Sequence, residues 1–281
     1  MILLTDEIEE LIRELESEID KSRMQKNWEE LMQFTPIPSG SPQEEQAIQY
    51  MRTQLENYGL ECKINRFEAY LSTPIGSSLK ITSPIKLDIQ ATPYRQVGST
   101  TPEGFEAEII YIPPEELGYA DCKDKIVLCE QKTSGDWMGL RNGFLLRLQE
   151  MGLKALIVIE QDDYMPTVVH QRADFSVSGS PTPENIDQIQ TIPAILHISN
   201  KDGQALRKLV KQGGVRAHIV SLVETGWKTL PLLETEIKGT IEPEKFILVN
   251  AHIETPPFSP GVVDNVSGNV ALLEIARLLA E

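Results

Sequence analysis

The sequence predicts a mixed α/β fold, and three patterns carry that expectation. Short runs rich in Val, Ile and Leu alternate with stretches whose apolar residues recur every three or four positions. Gly and Pro, 18 of each, punctuate the chain between them. Hydrophobic residues make up 41% of the 281, enough to bury a sizeable core in one or two domains of roughly 100–200 residues.

Residues 6–34 open the chain as an amphipathic helical region. Ile8, Leu11, Ile12, Leu15 and Ile19 form a stripe that Trp28, Leu31 and Met32 resume, with a break near Ser22. Its acidic outer face reads as solvated surface. Thr35 to Pro42 ends the region, and Ser41, Pro42 and Glu44 take the N-cap, first and third positions of a helix running to Asn57. Glu61–Phe67 alternates like a strand. From Ser72 the texture becomes β-rich, with short stretches at Leu79–Ile81, Leu87–Ile89 and Ala107–Ile112. Asp124–Cys129, Ala155–Ile159 and Ile192–Ile198 read as buried strands. Leu140–Glu150 and Lys201–Gln212 read as helices, and Pro166–Gln190 as a long surface loop. After Glu224 come strands at Leu232–Lys238 and Phe246–Ala251, a loop from Thr255 to Gly261, and a helix over Gly268–Ala280. That helix is apolar nearly all round and should be covered on most sides.

Charge narrows the partners. Lys and Arg total 26 against 42 Asp and Glu, a formal charge of −16. Nucleic-acid binding draws on clustered basic residues and anionic lipid attracts them, so neither a nucleic-acid nor a membrane partner is expected. No apolar run approaches the ~18 residues of a membrane span. Met1–Leu4 is too short for a signal peptide, and Asp6 and Glu7 follow it with the wrong charge. Cys62, Cys122 and Cys129 imply no disulfide framework. A soluble, cytoplasmic protein is the expectation.

The residues best suited to chemistry cluster late. Asn250-Ala-His252-Ile-Glu254 places an imidazole at the carboxyl end of an expected strand, where open α/β sheets hold their sites. Imidazole is a natural zinc ligand, and a carboxylate two residues on can orient its second nitrogen. Gly261-Val-Val-Asp264-Asn265-Val-Ser-Gly268 follows, with Asp264 in a short turn before a helix, where its two oxygens can be shared between cations. His197 lies within an apolar strand and reads as structural. His170 and His218 receive no ligand role.

Phe246–His252, the Gly261–Gly268 turn and the helix Val270–Leu279 together resemble the first metal-binding segment of zinc exopeptidases, the family of co-catalytic dizinc aminopeptidases and glutamate carboxypeptidase. Ser39-Gly40-Ser41-Pro42 is similar to that family's entry into its first helix. Asp124–Leu128, Gly152–Ile159 and Ile192–Leu206 resemble a protease-associated (PA) domain inserted in such peptidases.

The resemblance implies a truncated peptidase core, a mixed sheet flanked by helices, from residues 1–70 and 226–281, with an α/β PA-like insert over 71–225. It implies His252 and Asp264 as metal ligands, Asp264 bridging two zinc ions through a turn whose following peptide bond is commonly cis. Glu254, the orienting carboxylate, stands where the family has Asp. The family's Glu-Glu pair, acidic ligand and last His lie beyond the helix at which this sequence ends. Glu9-Glu10, Glu29-Glu30, Glu44-Glu45 and Glu115-Glu116 all precede His252. The chain is therefore expected to be a piece of a longer peptidase or a degenerate relative, inactive alone. A second copy or a missing C-terminal segment would cover Val270–Leu279. The implied reaction is hydrolysis at peptide termini, most simply N-terminal ones. The competing reading is a non-catalytic binding or scaffold protein that uses the same folds as contact surfaces.

Overall fold

The computed structural model describes residues 6–117, 120–130, 149–161, 182–184, 186–191, 193–255 and 259–280. The chain forms two compact units, one of Met1–Glu68 with Thr229–Glu281, the other of Ala69–Lys228. The helix expected over Leu140–Glu150 falls outside the described residues as far as 148. His170 falls outside them too, as does the loop expected from Pro166 as far as residue 181.

In the first unit the amphipathic region is two helices, α1 (Asp6–Ser17) and α2 (Lys21–Met32). The break lies a few residues before Ser22, because Asp20 caps α2 by accepting the Arg23 N–H at 3.0 Å. The helix α3 (Pro42–Asn57) has the predicted bounds, with Ser41 accepting the Glu44 N–H at 3.2 Å. Glu44 reaches back to the Gly40 N–H at 2.8 Å, one residue before the cap, so one orphan helix donor and one donor of the incoming chain are satisfied. The last helix, labelled α6 (Ser267–Ala280), buries Val270, Leu273 and Ala276 in a core with Leu31, Ala47 and Ile48. On its far side Ile275 is 41% exposed and Leu279 57%.

A buried ion pair ties α6 to the break between α1 and α2. Arg277 Nη2 donates to Glu274 Oε1 and to the Glu18 carbonyl, both at 2.7 Å, while the Asp20 N–H donates to the same Glu274 oxygen at 2.9 Å. Burial works to raise the Glu274 carboxyl. The Arg277 hydrogen bond, the Asp20 N–H and the Arg277 charge outweigh it and hold the group below its ordinary value.

The second unit is built on strands. β1 (Cys62–Ser83) and β8 (Arg216–Thr235) each extend across the division between units. Between them come β2 (Leu87–Ile89), β3 (Thr92–Pro93), β4 (Phe105–Tyr111), β5 (Ile126–Glu130), β6 (Ala155–Ile159) and β7 (Ala194–Ile198). The strand order is β2-β1-β8-β4-β5-β6-β7-β3. β4, β5, β6 and β7 run parallel, whereas β8 on β4 and β3 on β7 are antiparallel. Every residue of β6 and β7 is buried, as expected for parallel strands covered on both faces. The helix α5 (Asn200–Val210) lies close on β6, since a Cβ at Gly203 would stand 2.2 Å from the Ile159 side chain.

Three expectations are corrected. β1 and β8 are single long strands running through Pro74 and Pro231, because pairing overrides local strand breakers. Part of the expected loop is a short helix, α4 (Ile186–Thr191), whose Ile186 packs against the core of the second unit. The largest correction is Phe246–Ala251, which forms no strand. Phe246 is 87% exposed and Ile247 91%. An apolar run becomes a strand only when neighbours satisfy its backbone, and none of the described residues pairs with it.

Removing Arg277 leaves Glu274 buried without its cation, so Arg277→Ala is expected to cost about 3–5 kcal/mol in urea unfolding. Because the folded Glu274 value is lowered, the pair's contribution is present above the ordinary carboxylate range and lost as pH falls through the lowered value. The difference from wild type should shrink on acidification, and a pH-independent difference would contradict this account.

Candidate metal centre

The site is built from two stretches of the first unit that pair with no strand among the described residues. The segment after Ala251 carries His252 and Glu254, and a turn over Val262–Val266 carries Asp264. Thr255 anchors the first stretch: its N–H donates to the Ile37 carbonyl at 2.9 Å and its Oγ1 accepts the Ile37 N–H at 2.8 Å. Gly261 starts the turn at φ +59°, where a Cβ would stand 2.3 Å from the Thr255 methyl, so both the dihedral and the space require glycine. The Asp264–Asn265 peptide is cis, the form the resemblance implies.

The three residues singled out in the sequence meet here. His252 Nε2 lies 3.0 Å from Asp264 Oδ1. His252 Nδ1 lies 3.3 Å from Glu254 Oε1 and 3.1 Å from the Glu254 carbonyl oxygen. One ring nitrogen thus faces each carboxylate. All three side chains are a little under half exposed, so the ring edge is open to solvent and solute.

Two asparagines that the sequence reading left without a role complete the arrangement. The His252 carbonyl accepts from Asn265 Nδ2 at 3.2 Å and from Asn269 Nδ2 at 2.8 Å. Asn269 Nδ2 also donates to the Asn265 carbonyl at 2.8 Å. Their i,i+4 spacing across a helix start was the available signal. Gly268 leaves room for this network, since a Cβ there would sit 2.2 Å from Asn265 Oδ1.

Glu44 is a further carboxyl near the site. Burial pushes it up, the Gly40 N–H works the other way, and the negative charge of Glu254 adds to the rise.

The donor pair fits a zinc ion. Two donors of one tetrahedral zinc, each about 2.0–2.1 Å from the metal, lie a little over 3 Å apart, close to the observed separation of Nε2 and Oδ1. A catalytic zinc usually has three protein ligands and an open position. Among the described residues no three His, Cys, Asp or Glu side chains are grouped to hold a metal.

The remaining histidines are placed elsewhere. His197 is fully buried, with Nδ1 2.9 Å from Glu160 Oε1 and its ring edge-on to Tyr94. Burial pushes its pKa down against the opposing pull of Glu160, which accords with a structural role. His218 Nε2 lies 2.8 Å from the Glu103 carbonyl oxygen. A cavity of about 310 Å³ opens in the second unit at the carboxyl ends of β4, β5 and β6. In its wall Tyr111 and Gln204 donate to Glu130, as does the neighbouring Arg207.

The fold is that of solved bacterial aminopeptidases. An aminopeptidase from Aneurinibacillus sp. strain AM-1 superimposes with a TM-score of 0.60 at 20% identity, over 94% of this chain and 60% of that one. BSAP, a zinc aminopeptidase from Bacillus subtilis, gives 0.70 at 21% identity, over 94% and 58%. A peptidase M28 precursor from Shewanella amazonensis SB2B gives 0.74 at 17% identity, over 99% and 64%. The chain therefore spans about three-fifths of the length of these structures. Residues 234–281, which include His252, Glu254 and Asp264, match the model of peptidase family M28. The zinc-exopeptidase resemblance of the sequence is borne out at this level. No curated protein matches the chain.

The raised Glu44 gives a pH prediction. A folded value above the unfolded one means the folded state binds the proton more tightly, so Glu44 penalises stability at neutral pH and the penalty fades on acidification. Glu44→Gln keeps an oxygen for the Gly40 N–H and carries no charge. Its thermal midpoint at pH 7 should equal or exceed wild type, with the gap closing as pH falls. A variant that is less stable at pH 7 and gains on acidification would reverse the sign.

Proposed function

We propose that the chain carries the first metal-binding segment of a zinc metallopeptidase that removes residues from free peptide N-termini. The observation that carries the reading is the 3.0 Å approach of His252 Nε2 to Asp264 Oδ1 within the stretch that matches peptidase family M28. In the same reading residues 71–225 form a PA-like insert.

His252 supplies a neutral nitrogen donor from Nε2, and Glu254 fixes the ring by accepting from Nδ1. Asp264 supplies an anionic oxygen beside that nitrogen, and its second carboxylate oxygen is available to a second cation. Zinc, when bound, polarises a peptide carbonyl and acidifies water. The excess of carboxylates around the ring favours a cation and the positively charged terminus of a peptide over a carboxylate-bearing end.

Zinc titration followed by calorimetry, with the ring signals of His252 as a second readout wherever that ring is present, tests the reading. His252→Ala and Asp264→Ala should each weaken binding at least about tenfold. With two donors and no assigned general base, the 281-residue chain should leave aminoacyl-p-nitroanilides uncleaved. Zinc binding unaffected by either substitution would place the metal elsewhere. Turnover by this chain that His252→Ala abolishes would mean a complete site built from residues not assigned here.

A further inference from the structure

We propose that Asn269 is a positioning residue for His252, holding its backbone so that Nε2 meets Asp264; this rests on the reading of His252 and Asp264 as metal donors. Among the described residues no strand pairs with the stretch before His252, and Phe246 and Ile247 are exposed rather than packed in a core. What fixes the His252 carbonyl is a pair of side-chain amides. Of the two, Asn269 is the anchored one. It is 2% exposed, while its neighbours Val270 and Leu273 are packed in the core of the first unit.

The geometry uses both hydrogens of one NH2 group. One goes to the carbonyl of His252 and the other to the carbonyl of Asn265, the residue after Asp264. A single amide therefore ties the backbones of both metal donors to α6. The other restraints act differently. Glu254 meets the ring through its own carbonyl and its exposed side chain, and Thr255 holds the chain to Ile37 three residues further on. Neither restraint links His252 to the turn that carries Asp264.

Two substitutions separate positioning from simple stability. Asn269→Ala removes both bonds. In Asn269→Ser the hydroxyl of the new side chain can donate to the carbonyl four residues back, that of Asn265, and so keeps the bond to the turn while releasing His252. Val270→Ala, one position on, truncates a core side chain without touching the network. The measurements are the ring 15N–1H correlation of His252 in the zinc-free chain at fixed pH, and zinc affinity read from the same signals. The His252→Ala spectrum assigns the ring.

Expected is a changed His252 ring signal and zinc binding weaker by about 10–100-fold for Asn269→Ala and Asn269→Ser, the range for losing a partner that orients a ligand. Val270→Ala should keep the wild-type ring signal and affinity despite lower stability. If Asn269→Ala does not fold, Asn269→Ser carries the comparison. Asn269 variants that keep the wild-type ring signal and affinity overturn this proposal alone. Equal losses in Val270→Ala overturn it too, since they would reduce the effect to stability. A wild-type chain whose His252 ring ignores zinc overturns the metal reading, and the proposal with it.

Discussion

The doubly bonded carbonyl of His252 is the constraint on which the rest of the candidate site depends. A backbone stretch outside a sheet still has to satisfy its polar groups, and a carbonyl with two lone pairs can take two donors. Here Asn265 and Asn269 supply them. For both to reach one oxygen, the turn must fold back over His252 and α6 must start directly beneath it. Gly261 allows the turn to begin against Thr255, and Gly268 leaves Asn265 its place. The approach of Asp264 to the ring follows from that backbone arrangement.

Further along α6 the chain solves a different polar problem. Glu274 and Arg277 are almost wholly removed from water, and their burial is offset by the bond between them and by partners at the break between α1 and α2, the Glu18 carbonyl and the Asp20 N–H. One end of the helix thus carries the amide that holds the candidate donor, and the other carries the ion pair that holds the helix. Apolar packing through Val270, Leu273 and Ala276 joins the two ends.

The two described histidines with carboxylate partners show how surroundings set chemistry. His197 and His252 each face a Glu through Nδ1. His197 is sealed among strands of the second unit, where burial disfavours its charge and no solute can reach it. His252 keeps one edge exposed and turned toward a second carboxylate. The residue types are the same, and access separates a core residue from a candidate ligand.

Local signals in the sequence determined much of this protein. The capping pattern Ser41-Pro42-Glu44 placed α3 to the residue, since an N-cap and an N1 proline act within one turn. Unbroken apolar runs located β5, β6 and β7, because strands buried on both faces need no alternation. Residue types and spacing marked His252, Glu254 and Asp264 as candidates, and the three side chains do lie together. Only tertiary structure decided the rest. The run Phe246–Ala251 has the composition of a strand, but pairing comes from other parts of a chain and no window of sequence carries it. Asn269 looked like one polar position in an apolar helix, and its role arises because a carbonyl 17 residues earlier is folded onto it. Hydrogen bonds between distant residues depend on where the backbone goes, and the sequence states the donors without stating whom they meet.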